Sequence, residues 1–297
     1  MATTLNVITA YTENHKDELL VKASLDARTV KYVEVMPNVK YKDALNYLDS
    51  EVEFQDGSVC GFNPNGSDTF GEKEIETKAI KVEKSWCYKD FEKSAQNYQL
   101  MWEAGRETLP WEEKIANSNL AKVQERLEDV IWYGDNTLGI RGFYSGITID
   151  ESASTINVSA ATSADTIVEK VDKLVAAIPQ RALKKGANVF MSYNNLRNYI
   201  LGLNATCCAN RPIQDAAVDE FGYMGDSRVK RVAVNGIQDD FMVAASVDAL
   251  VYATDIENAE NRYRMWFDEK EEKFDFRVLF RAGTAIKWAD EIAYIAG

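Results

Sequence analysis

The chain is short of the residues on which most catalysis and metal binding depend. It has one histidine, His15, and four cysteines, Cys60, Cys87, Cys207 and Cys208. No two cysteines form a CxxC pair, and the last two are adjacent. A structural zinc site takes about four Cys or His ligands at short spacings, so no metal centre is expected. The thiols read as reduced, as in a cytosolic protein. A lone histidine near the N-terminus leaves little room for a Ser–His or Cys–His pair. The chain also lacks GxGxxG, GxxxxGK[ST] and GxSxG, so the common phosphate loops and the nucleophile elbow are excluded. The expectation is a protein with no catalytic residues and no cofactor, not an enzyme.

Long apolar runs are missing too. No stretch approaches the ~18 residues of a membrane span, so no membrane partner is expected. Residues 1–7 lack a basic region leading into an apolar one, and secretion is not expected. Positive charge is in deficit. Lysine and arginine total 34 against 47 acidic residues, a formal charge of −13, which argues against a surface built to grip phosphate backbones. Acidic pairs such as Glu112–Glu113 and Asp239–Asp240 are unavoidable at this composition and read as solvated faces.

Apolar residues are plentiful, at 46% with 11% aromatic, enough for a buried core in one elaborate domain or two coupled ones. Residues 14–35 read as partly helical, with Asn14 as cap, and Tyr41 to Leu48 as a second short helix. Residues 51–59 and 74–83 alternate as strands around a tip, Cys60 to Gly71, rich in Gly, Asn and Pro. A change of phase near Ala79 suggests a bulge or sharp twist. This hairpin carries many charges and few apolar groups, so it is marginal alone and needs another surface. Trp86 to Glu107 is aromatic-rich and reads as packing.

The clearest element is Pro110 to Tyr133. Proline suits the first turn, Glu112 and Glu113 complement the helix dipole, and Gly134 is a natural stop. Leu120, Val123, Leu127 and Val130 recur at four-three spacing and make a narrow packing stripe on a helix ~36 Å long. Gly134, Gly139, Gly142 and Gly146 then read as tight turns rather than a phosphate loop. Ser163 is the expected cap of a helix ending at Pro179, Ala187 to Ser192 a buried strand, and Asn194 or Asn195 the cap of a helix over 196–203. Strands over 230–236, 241–246 and 252–256 complete a small α/β module. The end is an antiparallel hairpin, with Phe274, Phe276, Val278 and Phe280 alternating with polar residues, a bend at Gly283 and a last strand near Ile292.

The order of these parts resembles the Hong Kong 97-type major capsid proteins of tailed bacteriophages. The segments that carry the likeness are Leu127 to Asp135 (Leu-Glu-Asp-Val-Ile-Trp-Tyr-Gly-Asp), Gly142 to Ile147 (Gly-Phe-Tyr-Ser-Gly-Ile) and Phe276 to Trp288. Val52 to Gly57, running on to Cys87-Tyr-Lys-Asp-Phe91, resembles the extended-loop strands of some relatives. The resemblance covers about residues 50–297 and rests on several weak signals in one order.

It implies an α+β fold with an N-terminal arm (1–50) and an extended loop, or E-loop, hairpin (51–90). A peripheral domain (91–139 and 251–297) would hold the spine helix 110–133, and an axial α/β domain would span 140–250. It implies a structural subunit that self-assembles, through hexameric and pentameric capsomers, into an icosahedral shell around a double-stranded DNA genome. The shell would belong to the virion and assemble in the host bacterial cytoplasm. A portal and a separate scaffold protein are the implied partners, because the arm and loop already precede the spine helix and leave no place for a helical scaffolding segment. Lys73, Lys78 and Lys81 lie in the loop region, but nothing marks a cross-linking partner. The loop would reach a neighbouring subunit through Phe54, Phe62, Phe70, Ile75, Ile80 and Val82. An encapsulin-like nanocompartment and an acidic enzyme or binding domain are the alternatives.

Overall fold

The computed structural model describes residues 27–56, 58, 65–87, 111–158, 165–205, 220–223, 226–255, 263–268, 270–271 and 273–296. In chain order the strands begin with β1 (Glu34–Met36), β2 (Lys42–Glu51), β3 (Ser67–Glu76) and β4 (Lys78–Cys87). The long helix α1 (Trp111–Tyr133) leads to β5 (Gly134–Asp135), β6 (Ile140–Arg141) and β7 (Ile156–Asn157). Helices α2 (Ile167–Ala176) and α3 (Gln180–Lys185) precede β8 (Ala187–Met191) and α4 (Tyr193–Ala205). The remaining strands are β9 (Glu220–Tyr223), β10 (Asp226–Ala233), β11 (Phe241–Ser246), β12 (Leu250–Asp255), β13 (Tyr263–Asp268), β14 (Lys273–Ile286) and β15 (Ile292–Ala296).

Two sheets carry the fold. In the first, β14 is the shared strand: β4 runs antiparallel along 273–282, while β13 and β12 pair with its two halves, and β1 joins β12 in parallel. The second has the order β7-β15-β11-β8-β10-β9. Its buried strands alternate, as period-two geometry demands. Phe190, Val232 and Val243 face one core, and Val189, Met191, Met242 and Ala244 face the other. Helices α2 to α4 cover the latter face through Val171, Leu174, Ala182 and Tyr199. The former face meets α1 and the first sheet in one continuous core, where the Trp132 ring lies 5.3 Å from Phe190 and 5.5 Å from Phe143.

Helix α1 is unbroken over its 23 residues. It stops because Gly134 takes a φ of +75°, and a Cβ there would strike the carbonyl oxygen of Ile140. Gly283 does not bend the chain as expected. Strand β14 runs straight through it, and the missing side chain instead admits the Glu76 carbonyl where β3 passes into β4.

Other expectations need correction. The segment expected as a helix over Tyr41 to Leu48 is strand from Lys42 on: Ala44, Leu45 and Leu48 have helical spacing, but β3 pairs with the segment residue for residue and outweighs the local preference. The hairpin arms are therefore 42–51 and 67–76, earlier than 51–59 and 74–83. The phase change near Ala79 is a handover at Thr77, with β3 pairing to β2 on one side and β4 to β14 on the other. Within 14–35, residues 29–32 form a 3-10 turn and 34–36 a strand, while 14–26 fall outside the described residues. Of Trp86 to Glu107, Trp86 and Cys87 end β4, with the Trp86 ring 6.2 Å from Phe276, and residues 88–107 fall outside.

The cap of α2 is Thr166, not Ser163, because Thr166 and Glu169 close a reciprocal capping box. Pro179 starts a further helix, α3, that the spacing did not reveal. Helix α4 is capped by Ser192, whose hydroxyl accepts from the Asn195 amide at 3.1 Å. Finally, the sheets do not follow the chain boundary near residue 250. Strand β12 belongs to the first sheet, but β15 crosses back to pair with β11 in the second.

Candidate functional site

The β2–β3 hairpin is the one extended element among the described residues that has no sheet beneath most of its length. Its ten cross-strand pairs run from Lys42–Glu76 to Glu51–Ser67, ~33 Å of ribbon. Only the root is in a core. Leu45 and Ile75 pack with Val39, Val251 and Ala253 of the first sheet. Thr77 ties the root to the preceding segment, its hydroxyl donating to the Val39 carbonyl at 2.9 Å.

Beyond the root, Tyr47 aside, the large apolar side chains point into solvent. Phe54 is fully exposed, Phe70 is 80% exposed, and Leu48 and Val52 are exposed as well. The charges pair along the ribbon, Lys42 with Glu74 at 2.7 Å and Lys78 with Glu76, and the Asn65 amide donates to the Glu53 carboxylate. The Glu76 carboxyl is held below its ordinary range by the hydrogen bond from Lys78, and that of Glu83 by the one from Lys81. Exposed pairs of this kind fix little.

Of the six residues expected to reach a neighbour, Phe54 and Phe70 are free to do so. Ile75 and Ile80 are not. Both are buried in this chain's own cores, because the hairpin starts earlier than expected: Ile75 falls at its root and Ile80 on β4, opposite Phe280 of β14. Val82 is half-buried against the first sheet's core, and Phe62 lies outside the described residues. The stripe on α1 is buried throughout, at Leu120, Val123, Leu127 and Val130.

Two polar networks escaped the sequence reading. In one, Glu128 on α1 is 4% exposed and takes hydrogen bonds from the Thr29 amide, at 2.7 Å, and the Thr29 hydroxyl. The Trp132 indole donates to the same hydroxyl at 2.8 Å. Burial pushes the Glu128 carboxyl up, against the Thr29 bonds that hold it down. The network docks the start of the described chain on the long helix. Its signal was present: Glu128, Ile131 and Trp132 have i, i+3, i+4 spacing, which places the acid on the buried side.

In the other, Glu291 is fully buried and accepts from Lys185 at 2.7 Å, from Arg181 at 3.0 Å and from the Ser246 hydroxyl. Lys185 also pairs with Asp248 at 3.0 Å. Burial opposes both charges, yet hydrogen bonding raises the Lys185 ammonium and lowers the Asp248 carboxyl. These residues lie on α3, on β11 and the turn after it, and in the turn before β15, far apart in sequence, so no local pattern signals them.

Among the described residues no cluster of three or more His, Cys, Asp or Glu could hold a metal ion. Nor is any described helix long and apolar enough to cross a membrane.

Comparison with known proteins places this geometry. No family model and no curated protein matches the chain. Solved structures do. A chain of the satellite phage P4 procapsid, which includes a size determination protein, aligns over 94% of this chain and 96% of its own at a TM-score of 0.56 and 9% identity. A structure from Microbacterium phage Oxtober96 covers 91% and 90%, with a TM-score of 0.57 and 10% identity. The holo-SrpI encapsulin complex from Synechococcus elongatus PCC 7942 covers 90% and 86%, with a TM-score of 0.57 and 10% identity. The matches run nearly end to end in both directions, and at this identity they speak to fold. The chain has the mixed α+β, Hong Kong 97-type shell fold that its sequence resembles.

Proposed function

We propose that the protein is a major capsid subunit, many copies of which close into an icosahedral shell around the double-stranded DNA of a tailed phage. The observation that carries this reading is the near-complete, two-way overlap with chains of phage capsids, a procapsid among them. A hairpin that holds Phe54 and Phe70 in solvent fits the role, since a contact with a second copy would cover them. The net charge of −13 fits as well, because an acidic wall repels phosphate and leaves packed DNA free to move. The role is structural rather than catalytic.

In this reading the described start of the chain is the end of the arm, β2–β3 is the extended loop and α1 is the spine. The first sheet forms the peripheral domain, and the second sheet with α2 to α4 forms the axial domain that gathers into capsomers. A portal and a separate scaffold protein would join it during assembly in the host cytoplasm. The encapsulin structure is as similar as the phage ones, so a cellular compartment is the second reading.

Negative-stain microscopy of the purified protein, alone and with added scaffold candidates, tests the proposal. Capsomers, tubes or closed particles are expected. A subunit that stays monodisperse in every condition overturns it. Closed particles that carry a protein cargo and no nucleic acid from the producing cell would favour the compartment instead.

A further inference from the structure

The hairpin is marginal by composition, yet its middle is fastened to its own chain. The Tyr47 ring lies edge-on to Trp288, with centroids 5.2 Å apart. It can lie there because the residue opposite it on β3 is Gly71, and a Cβ at that position would overlap the phenol end of the ring at its Cζ. Two cations of α3 also approach the Trp288 ring. The guanidinium of Arg181 sits 4.6 Å from the Trp288 ring centroid and the ammonium of Lys185 5.0 Å. Buried Glu291 holds both cations in place, and Arg181 reaches on to Asp49 of β2 at 3.1 Å. On the other strand, Lys73 pairs with Glu151 at 2.7 Å, each less than a third exposed.

We propose that Tyr47, Gly71 and Asp49, seated on Trp288 and the Glu291-oriented Arg181, form a latch. It fixes the angle of the hairpin in the free subunit, so that Phe54 and Phe70 are presented to a second copy already aligned. The inference rests on the shell-subunit reading for its purpose, but the latch itself is a property of one chain. Pre-setting the angle removes part of the ordering cost of the contact. An aromatic edge contact, a cation over a ring and a partly sheltered ion pair reinforce one another here, where a lone exposed pair would do little. Glu291 is the positioning residue: without it Arg181 and Lys185 would lose the anchor that aims them at the ring.

Hydrogen exchange on the full chain as free subunits tests this, with Gly71→Val and Asp49→Ala as variants. Valine is the better strand former, so a looser hairpin in Gly71→Val cannot come from weaker strand propensity. Amides of residues 44–49 and 69–74 are expected to exchange about three- to tenfold faster in Gly71→Val, and less so in Asp49→Ala. Amides of β8 should not change. If β8 also speeds up in Gly71→Val, the fold has loosened, and the exposed Asp49→Ala decides alone. Unchanged hairpin exchange overturns the latch. Faster exchange with an unchanged rate of particle formation overturns its role in presentation. A wild-type chain that never forms particles overturns the shell reading, while the exchange comparison still decides the latch.

Discussion

The long helix and the β2–β3 hairpin are both extended, ~35 Å and ~33 Å long, and they meet solvent in opposite ways. The helix buries its stripe against both sheets and leaves its charges outside. The hairpin buries its root, seats Tyr47 on Trp288, and leaves Phe54 and Phe70 outside with most of its charges. An apolar residue on the helix thus stabilises the subunit. One on the distal hairpin contributes almost nothing until something covers it.

The sharpest way to break that contrast is at Leu127, which is buried in the central core. Leu127→Ala is expected to cost ~2–5 kcal/mol in urea unfolding of the subunit. A loss below ~1 kcal/mol would mean that the site collapses easily and that the helix is not the central support.

Glu128 sharpens the comparison, because here the helix buries a charge. Its carboxyl is raised above the ordinary value of 4.5. A raised group contributes stability that is fully present below its unfolded value and is lost as pH rises through its folded value. Subunit Tm should therefore carry a falling contribution from Glu128 as pH climbs above about 4.5 toward neutrality, and Glu128→Gln should flatten it. Parallel Tm curves for the two proteins across that window would refute the assignment.

The smallest expected effect lies on the hairpin. Phe54→Ala and Phe70→Ala should each leave subunit stability within ~0.5 kcal/mol of wild type. Particle yield or particle stability should nevertheless fall, as scored by microscopy and sedimentation. If either variant destabilises the free subunit as much as Leu127→Ala, the two regions do not differ as described.

Much of this was legible in the residues. The α1 period, the Gly134 stop, the Phe276–Val278–Phe280 alternation and the buried run of β8 are local patterns, and each became the element it spelled. The failures also have local causes. Ala44, Leu45 and Leu48 spelled a helix, and only pairing with β3 made a strand. Ile75 and Ile80 read as loop side chains free for a neighbour because the register of the hairpin was set too late by several residues. The capping oxygens of Thr166 and Ser192 were each passed over for a nearby residue of equal propensity.

What the residues settled alone was the long helix, the buried strands of the core, the acidic balance and the absence of familiar catalytic motifs. These depend on spacing and composition, which act within a few turns of chain. Tertiary structure decided which sheet each strand joins, with β15 returning to β11 and β12 leaving for β14. It also decided that Glu128 meets Thr29 and that Glu291 meets Arg181, across 99 and 110 positions of chain respectively. Such partners are chosen by the burial of whole faces against one another, and a buried carboxylate then takes whatever donors that packing brings to it. No local pattern records the outcome.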